Sequence, residues 1–263
     1  MEAHITTAFL ITLLAGISTG IGSAIALLAK RTNTKFLCVS LGFSAGVMLY
    51  VSFMELLPES LRELTGAWGE KRGTLYLLIS FFSGIALIAL IDVLVPKQAN
   101  PHEVHGVEDM HKKVKLKRVG VMVALSIAIH NFPEGIATFT SALVSMEVAI
   151  PIAIAIAIHN IPEGIAVAVP IFHSTGSKSK AFWYSFSSGL AEPVGALIAY
   201  LFLMPYWSVT INGVVLASVA GIMIFISLDE LLPTAEKFGE HHLAIWGMIA
   251  GMFLMAASLY AFI

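Results

Sequence analysis

The chain lacks most of what a water-soluble protein relies on. Only 12% of its 263 residues are charged and 57% are hydrophobic, whereas a soluble domain carries roughly 25% charged residues. A soluble globular domain is thereby excluded. Cys38 is the single cysteine, so neither an internal disulfide nor a thiolate metal cluster can form within the chain. H-E-x-x-H and P-loop patterns are missing. The formal net charge of -2 is silent on partners, because the placement of charges matters here and their sum does not; nucleic acid is not among the partners expected. The N-terminal apolar run has no basic n-region and no A-x-A-like cleavage site, and Lys30 and Arg31 follow it. It reads as a retained first span.

What is present is a series of nearly charge-free stretches, at about 5–29, 36–58, 74–95, 119–143, 148–172, 181–204, 209–233 and 243–263. Each is long enough to cross a ~30 Å hydrocarbon layer. A closed barrel would show short alternating segments instead. The expected fold is an all-α polytopic membrane protein of eight transmembrane helices, a single transmembrane domain over 1–263. With both termini outside, 12 of the 15 basic residues fall on inner loops, and only Arg62, Lys71 and Arg72 stay outside; the positive-inside rule favours this orientation. The one long loop, 96–118, holds His102, His105 and His111 among carboxylates and ends in a basic cluster. It reads as a flexible cytoplasmic loop whose basic end contacts membrane lipids.

Two repeats run through the chain. Ala128-Ile-His-Asn-Phe-Pro-Glu-Gly-Ile-Ala137 returns as Ala157-Ile-His-Asn-Ile-Pro-Glu-Gly-Ile-Ala166, with nine of ten residues alike at an offset of 29. A fainter match pairs Ala45–Pro58 with Ala220–Pro233 at an offset of 175. The matched spans, 4 with 5 and 2 with 7, cross the membrane in opposite senses. A 3+2+3 inverted pseudo-repeat follows, an arrangement typical of transporters whose substrate site lies near the midplane.

Residues four apart share a helix face, so His130 pairs with Glu134 and His159 with Glu163. Pro133 and Pro162 are expected to kink their helices and free carbonyls, and the amides of Asn131 and Asn160 add further oxygen ligands. Gly135 and Gly164 permit close helix approach. Glu192, also followed by proline, is a third carboxylate at comparable depth. Glu55, Glu134, Glu163, Glu192, Asp229 and Glu230 lie within the spans with no Lys or Arg among them. Each ionised group costs at least ~2.5–3.5 kcal/mol there, so the economical explanation is a pathway for cations. Glu55 and Glu230 each precede a Leu-Leu-Pro that is expected to end a helix; with Asp229 and Asp92 they are candidates for admission and release at the two mouths. Imidazole with carboxylate and amide oxygen suits divalent first-row metals such as Zn²⁺, Fe²⁺, Mn²⁺ and Co²⁺. No catalytic cofactor is expected. An intramembrane metal-dependent hydrolase using the same ligands is the alternative of a different class.

The doubled His-Asn-x-Pro-Glu-Gly motif, in eight spans with a His-containing loop between spans 3 and 4, resembles the ZIP family of metal transporters, and the resemblance covers essentially the whole chain. It implies uptake of zinc, and of iron(II), manganese, cobalt and cadmium, across the cytoplasmic (inner) membrane. It implies a binuclear centre in which Glu134 and Glu163 bridge, with His130 and His159 on one metal and Asn131, Asn160 and Glu192 on the other. It also implies a homodimer in which spans 1, 4, 5 and 6 move against spans 2, 3, 7 and 8.

Overall fold

The computed structural model describes residues 2–28, 34–94, 113–238 and 240–261, and within them the side chain of His130 is not described. Eight helical spans follow one another. Span 1 is Glu2–Leu28, span 3 Glu70–Leu94, span 4 Lys113–Val144, span 5 Met146–Thr175 and span 8 His241–Ala261. Spans 2, 6 and 7 are composite. Span 2 joins Thr34–Val51, a π-helical turn Ser52–Leu56 and Leu57–Trp68. Span 7 joins Val209–Ile226, a π-helical turn Ser227–Leu231 and Leu232–Phe238. Seven of the eight are long and apolar enough over their described residues to cross a bilayer; the other, Lys113–Val144, carries the first motif. Strands are absent among the described residues, as hydrocarbon demands of a chain that must satisfy its own backbone.

Two expectations need correction. Helices do not end at Pro58 and Pro233. Each proline lacks an N–H and its ring crowds the carbonyl four residues earlier, and in both places the helix widens instead of stopping: Leu57 N–H and Leu232 N–H reach back five residues to the carbonyls of Ser52 and Ser227. The two π turns are 175 residues apart, the offset of the fainter repeat. The helices run on past Pro133 and Pro162, where kinks were expected and not breaks. The break comes in span 6, where Lys178–Gly189 gives way at Leu190 to Ala191–Ile198. Finally, Lys113, Lys115, Lys117 and Arg118 open span 4 instead of closing the loop. The rest of that loop, with His102, His105 and His111, lies outside the described residues.

The spans pack as two bodies. Spans 1, 4, 5 and 6 contact one another, and so do spans 2, 3, 7 and 8, chiefly as 2 on 7, 2 on 8 and 3 on 7. The bodies meet where span 2 lies on span 5 and span 7 on span 4. Exchanging 1 with 6, 2 with 7, 3 with 8 and 4 with 5 maps these contacts onto themselves, so the inverted repeat is visible in the packing. Glycines let backbones touch inside each body. A methyl group on Gly164 would collide with the Thr19 carbonyl, on Gly135 with that of Glu192, on Gly46 with that of Met248, and on Gly221 with that of Phe81. Small residues at such crossings are how helices associate where burial from water offers no driving force.

Candidate metal site

Both motifs sit mid-helix in the first body, and a helical turn brings their carboxylates to the same face as the histidine four residues earlier. Glu134, Glu163, Glu192, Asn131 and Asn160 are fully buried and His159 nearly so. The two motifs meet across spans 4 and 5: His159 Nε2 lies 3.2 Å from Glu134 Oε1 and 3.3 Å from Oε2. Span 6 supplies the third side. Its break at Leu190 sets Glu192 in the first turn of the following helix, where unsatisfied amides favour an anion, and Asn160 Nδ2 donates to Glu192 Oε1. Span 1 closes the group, because the Ala15 carbonyl accepts from Asn160 Nδ2 at 3.0 Å. Asn131 Nδ2 donates to the Ser188 carbonyl at 3.3 Å, just before the break.

Both amide nitrogens are thus committed to neighbouring spans, which turns the two amide oxygens the other way. Asn131 Oδ1 and Asn160 Oδ1 are buried without a hydrogen-bond partner. Burying such an acceptor unsatisfied costs about 1–3 kcal/mol, a cost that a cation removes. Three carboxylates, one described imidazole and two unsatisfied amide oxygens, in a region without Lys or Arg, form a donor set for a divalent metal of borderline softness. Among the described residues no three His, Cys, Asp or Glu side chains close into a ready cage; the amide oxygens and the undescribed imidazole of His130 belong to the rest of the set.

The other candidate acids lie apart from this group. Glu55 is half-buried in the π turn of span 2, and Asp229, exposed, and Glu230, half-buried, occupy the π turn of span 7. Spans 2 and 7 are antiparallel, so the two turns face opposite ends of the molecule. Asp92 is half-buried near the end of span 3. Sequence reasoning missed two polar features. Glu63 is buried, and both of its oxygens accept from Asn212 Nδ2, at 2.8 and 2.9 Å. The four-residue spacing of Glu55, Glu59 and Glu63 was the signal that span 2 continues past Pro58. Ser44, in span 2, is fully buried against the second motif; a serine among the several of an apolar span gives no such signal.

Comparison with known proteins agrees over nearly the whole chain. The family model described as ZIP Zinc transporter matches residues 1–92 and 94–259. The protein named zinc transporter ZupT of Clostridium perfringens is 57% identical over 99% of this chain and 97% of its own length. That of Streptococcus mutans is 58% identical over the full length of both, and that of Nitratidesulfovibrio vulgaris 53% identical over 100% and 99%. With the doubled motif, the eight spans and a match that leaves out only a few residues, the chain belongs to the ZIP zinc transporter family.

Proposed function

We propose that this protein carries divalent transition-metal ions, zinc foremost, across the cytoplasmic membrane toward the cell interior. The observation that carries the reading is the pair of buried, unsatisfied amide oxygens, Asn131 Oδ1 and Asn160 Oδ1, beside three buried carboxylates and His159. An acidic, cation-free pocket of this kind is tenable within hydrocarbon when cations pass through it. Relatives named zinc transporters and the inverted packing favour transport over hydrolysis, since a carrier needs a site reachable from both sides. Iron(II), manganese, cobalt and cadmium share enough ligand chemistry to be carried as well.

In this reading Glu134 and Glu163 bridge two metal ions, His130 and His159 hold one, and Asn131, Asn160 and Glu192 hold the other. The glycine-locked body of spans 1, 4, 5 and 6 carries the ions past spans 2, 3, 7 and 8, within a homodimer whose termini face outward. Glu55 receives cations at the outer mouth, and Asp229, Glu230 and Asp92 assist release. The loop 96–118 collects or regulates metal on the inner side and lies off the path. Zinc flux into proteoliposomes with no added organic substrate tests the whole. Saturable uptake with counterflow is the expected result, and impermeability to every divalent metal would overturn it.

A further inference from the structure

Across the contact between the two bodies, one hydroxyl reaches the candidate site. Ser44 belongs to span 2, outside the motif-bearing body, and is fully buried. Its Oγ lies 3.4 Å from Glu163 Oε1 and 3.4 Å from the His159 carbonyl oxygen. Buried helix serines commonly turn back to their own helix, as Ser227 does toward the Met223 carbonyl at 2.7 Å. Ser44 does not: both of its partners are on span 5. Having a single proton, the hydroxyl serves one of them at a time.

The offset of 175 places Val219 at the pseudo-equivalent position in span 7. Val219 lines an apolar cavity with Ile129 and Pro133 of the first motif. Among the described residues, the hydroxyl seen to reach a motif from the opposite body is that of Ser44, at the second motif.

We propose that Ser44 is a positioning residue for Glu163. Its hydroxyl orients the carboxylate toward the site when no metal is bound, and shifts to the His159 carbonyl when a cation takes up that carboxylate oxygen. The second body thus contributes to metal affinity without supplying a ligand, and it does so through the second motif. The inference rests on the metal-site reading above.

Equilibrium binding of Zn²⁺ to the full chain in lipid nanodiscs is the direct test. Ser44→Ala should weaken binding about fivefold and leave the metal-free unfolding temperature unchanged, while Val219→Ala should change affinity less than twofold. Ser44→Cys in a Cys38→Ala background gives a second readout: Zn²⁺ should slow reaction of the new thiol with a small methanethiosulfonate. Unchanged affinity in Ser44→Ala, or a thiol at 44 that reacts alike with and without Zn²⁺, overturns the proposal. Wild-type protein that binds no Zn²⁺ overturns the metal-site reading beneath it.

Discussion

Two contacts join the bodies, and the repeat makes them counterparts, yet they differ. Where span 2 meets span 5 the space is filled: Leu41, Ala45 and Met48 share a buried cluster with Ile152, Ala155 and Ile156, and Ser44 adds its hydroxyl. Where span 7 meets span 4 there is a cavity of about 550 Å³, walled by Ile129, Phe132 and Ile136 on one side and Val215, Val219 and Ile222 on the other. Sequence pseudo-symmetry therefore does not carry over into equal packing. Nearly duplicate motifs present similar ligands to a site whose surroundings are unequal. A body that slides needs contacts that can be exchanged, and a close-packed interior resists small displacements; the unfilled side is where displacement costs least.

The comparison is sharpened first by treating the motifs as equals. Glu134→Ala and Glu163→Ala should each abolish zinc flux, by more than about a hundredfold, in protein that still folds, because under the proposed site each substitution removes negative charge that a bound metal ion would need. Flux at the wild-type rate in either variant would break the equivalence and the proposed site with it.

Proton competition should come next in size. Imidazole must be neutral to ligate, and the ordinary histidine value is about 6.5. Protons and zinc therefore compete for the same nitrogens, and affinity for zinc should weaken as the outside is acidified from about pH 7.5 to 5.5. A flat profile in a liposome uptake assay would remove His130 and His159 from the ligand set.

The unequal contacts themselves are probed by filling the cavity. Val219→Phe adds volume where there is room, so it should leave thermal stability intact, unlike overpacking a filled core, which costs about 1–3 kcal/mol. Turnover should fall about fivefold if span 7 must close on span 4 during the cycle. Unchanged turnover would mean that the cavity takes no part in movement. Smallest are the effects at the mouths: Glu55→Gln should raise the half-saturating outside concentration about threefold, and Glu230→Gln should slow single-turnover release by a similar factor. Equal changes in one parameter would show that the two π turns do not serve opposite faces.

Much of this was legible in the sequence, because hydrocarbon leaves a chain few options. Charge-free lengths located the spans, and the offsets of 29 and 175 paired them before any contact was known. The buried Asn131, Glu134, His159, Asn160, Glu163 and Glu192 followed from helical spacing and from the cost of acids in lipid. The behaviour of proline was harder to read. Pro58 and Pro233 sit beyond turns that widen, and Pro133 and Pro162 within helices that run on, because neighbouring spans decide how a missing N–H is accommodated. Ser44 was invisible for a related reason: its significance lies in a carboxylate 119 residues away along the chain.

The interleaving of the two bodies has a consequence for how the protein is made. Translation releases the spans in order. The motif-bearing body is complete once span 6 ends near Tyr206, whereas span 2 still waits for two of its partners, span 7 and then span 8 at His241–Ala261. Until then the face of span 2 that carries Gly42 and Gly46, which packs on span 8 in the finished fold, meets lipid or an insertion factor. The candidate site is thus assembled before the frame around it is finished, and a ribosome that stalls late should leave behind a chain with the candidate ligands gathered and that frame incomplete.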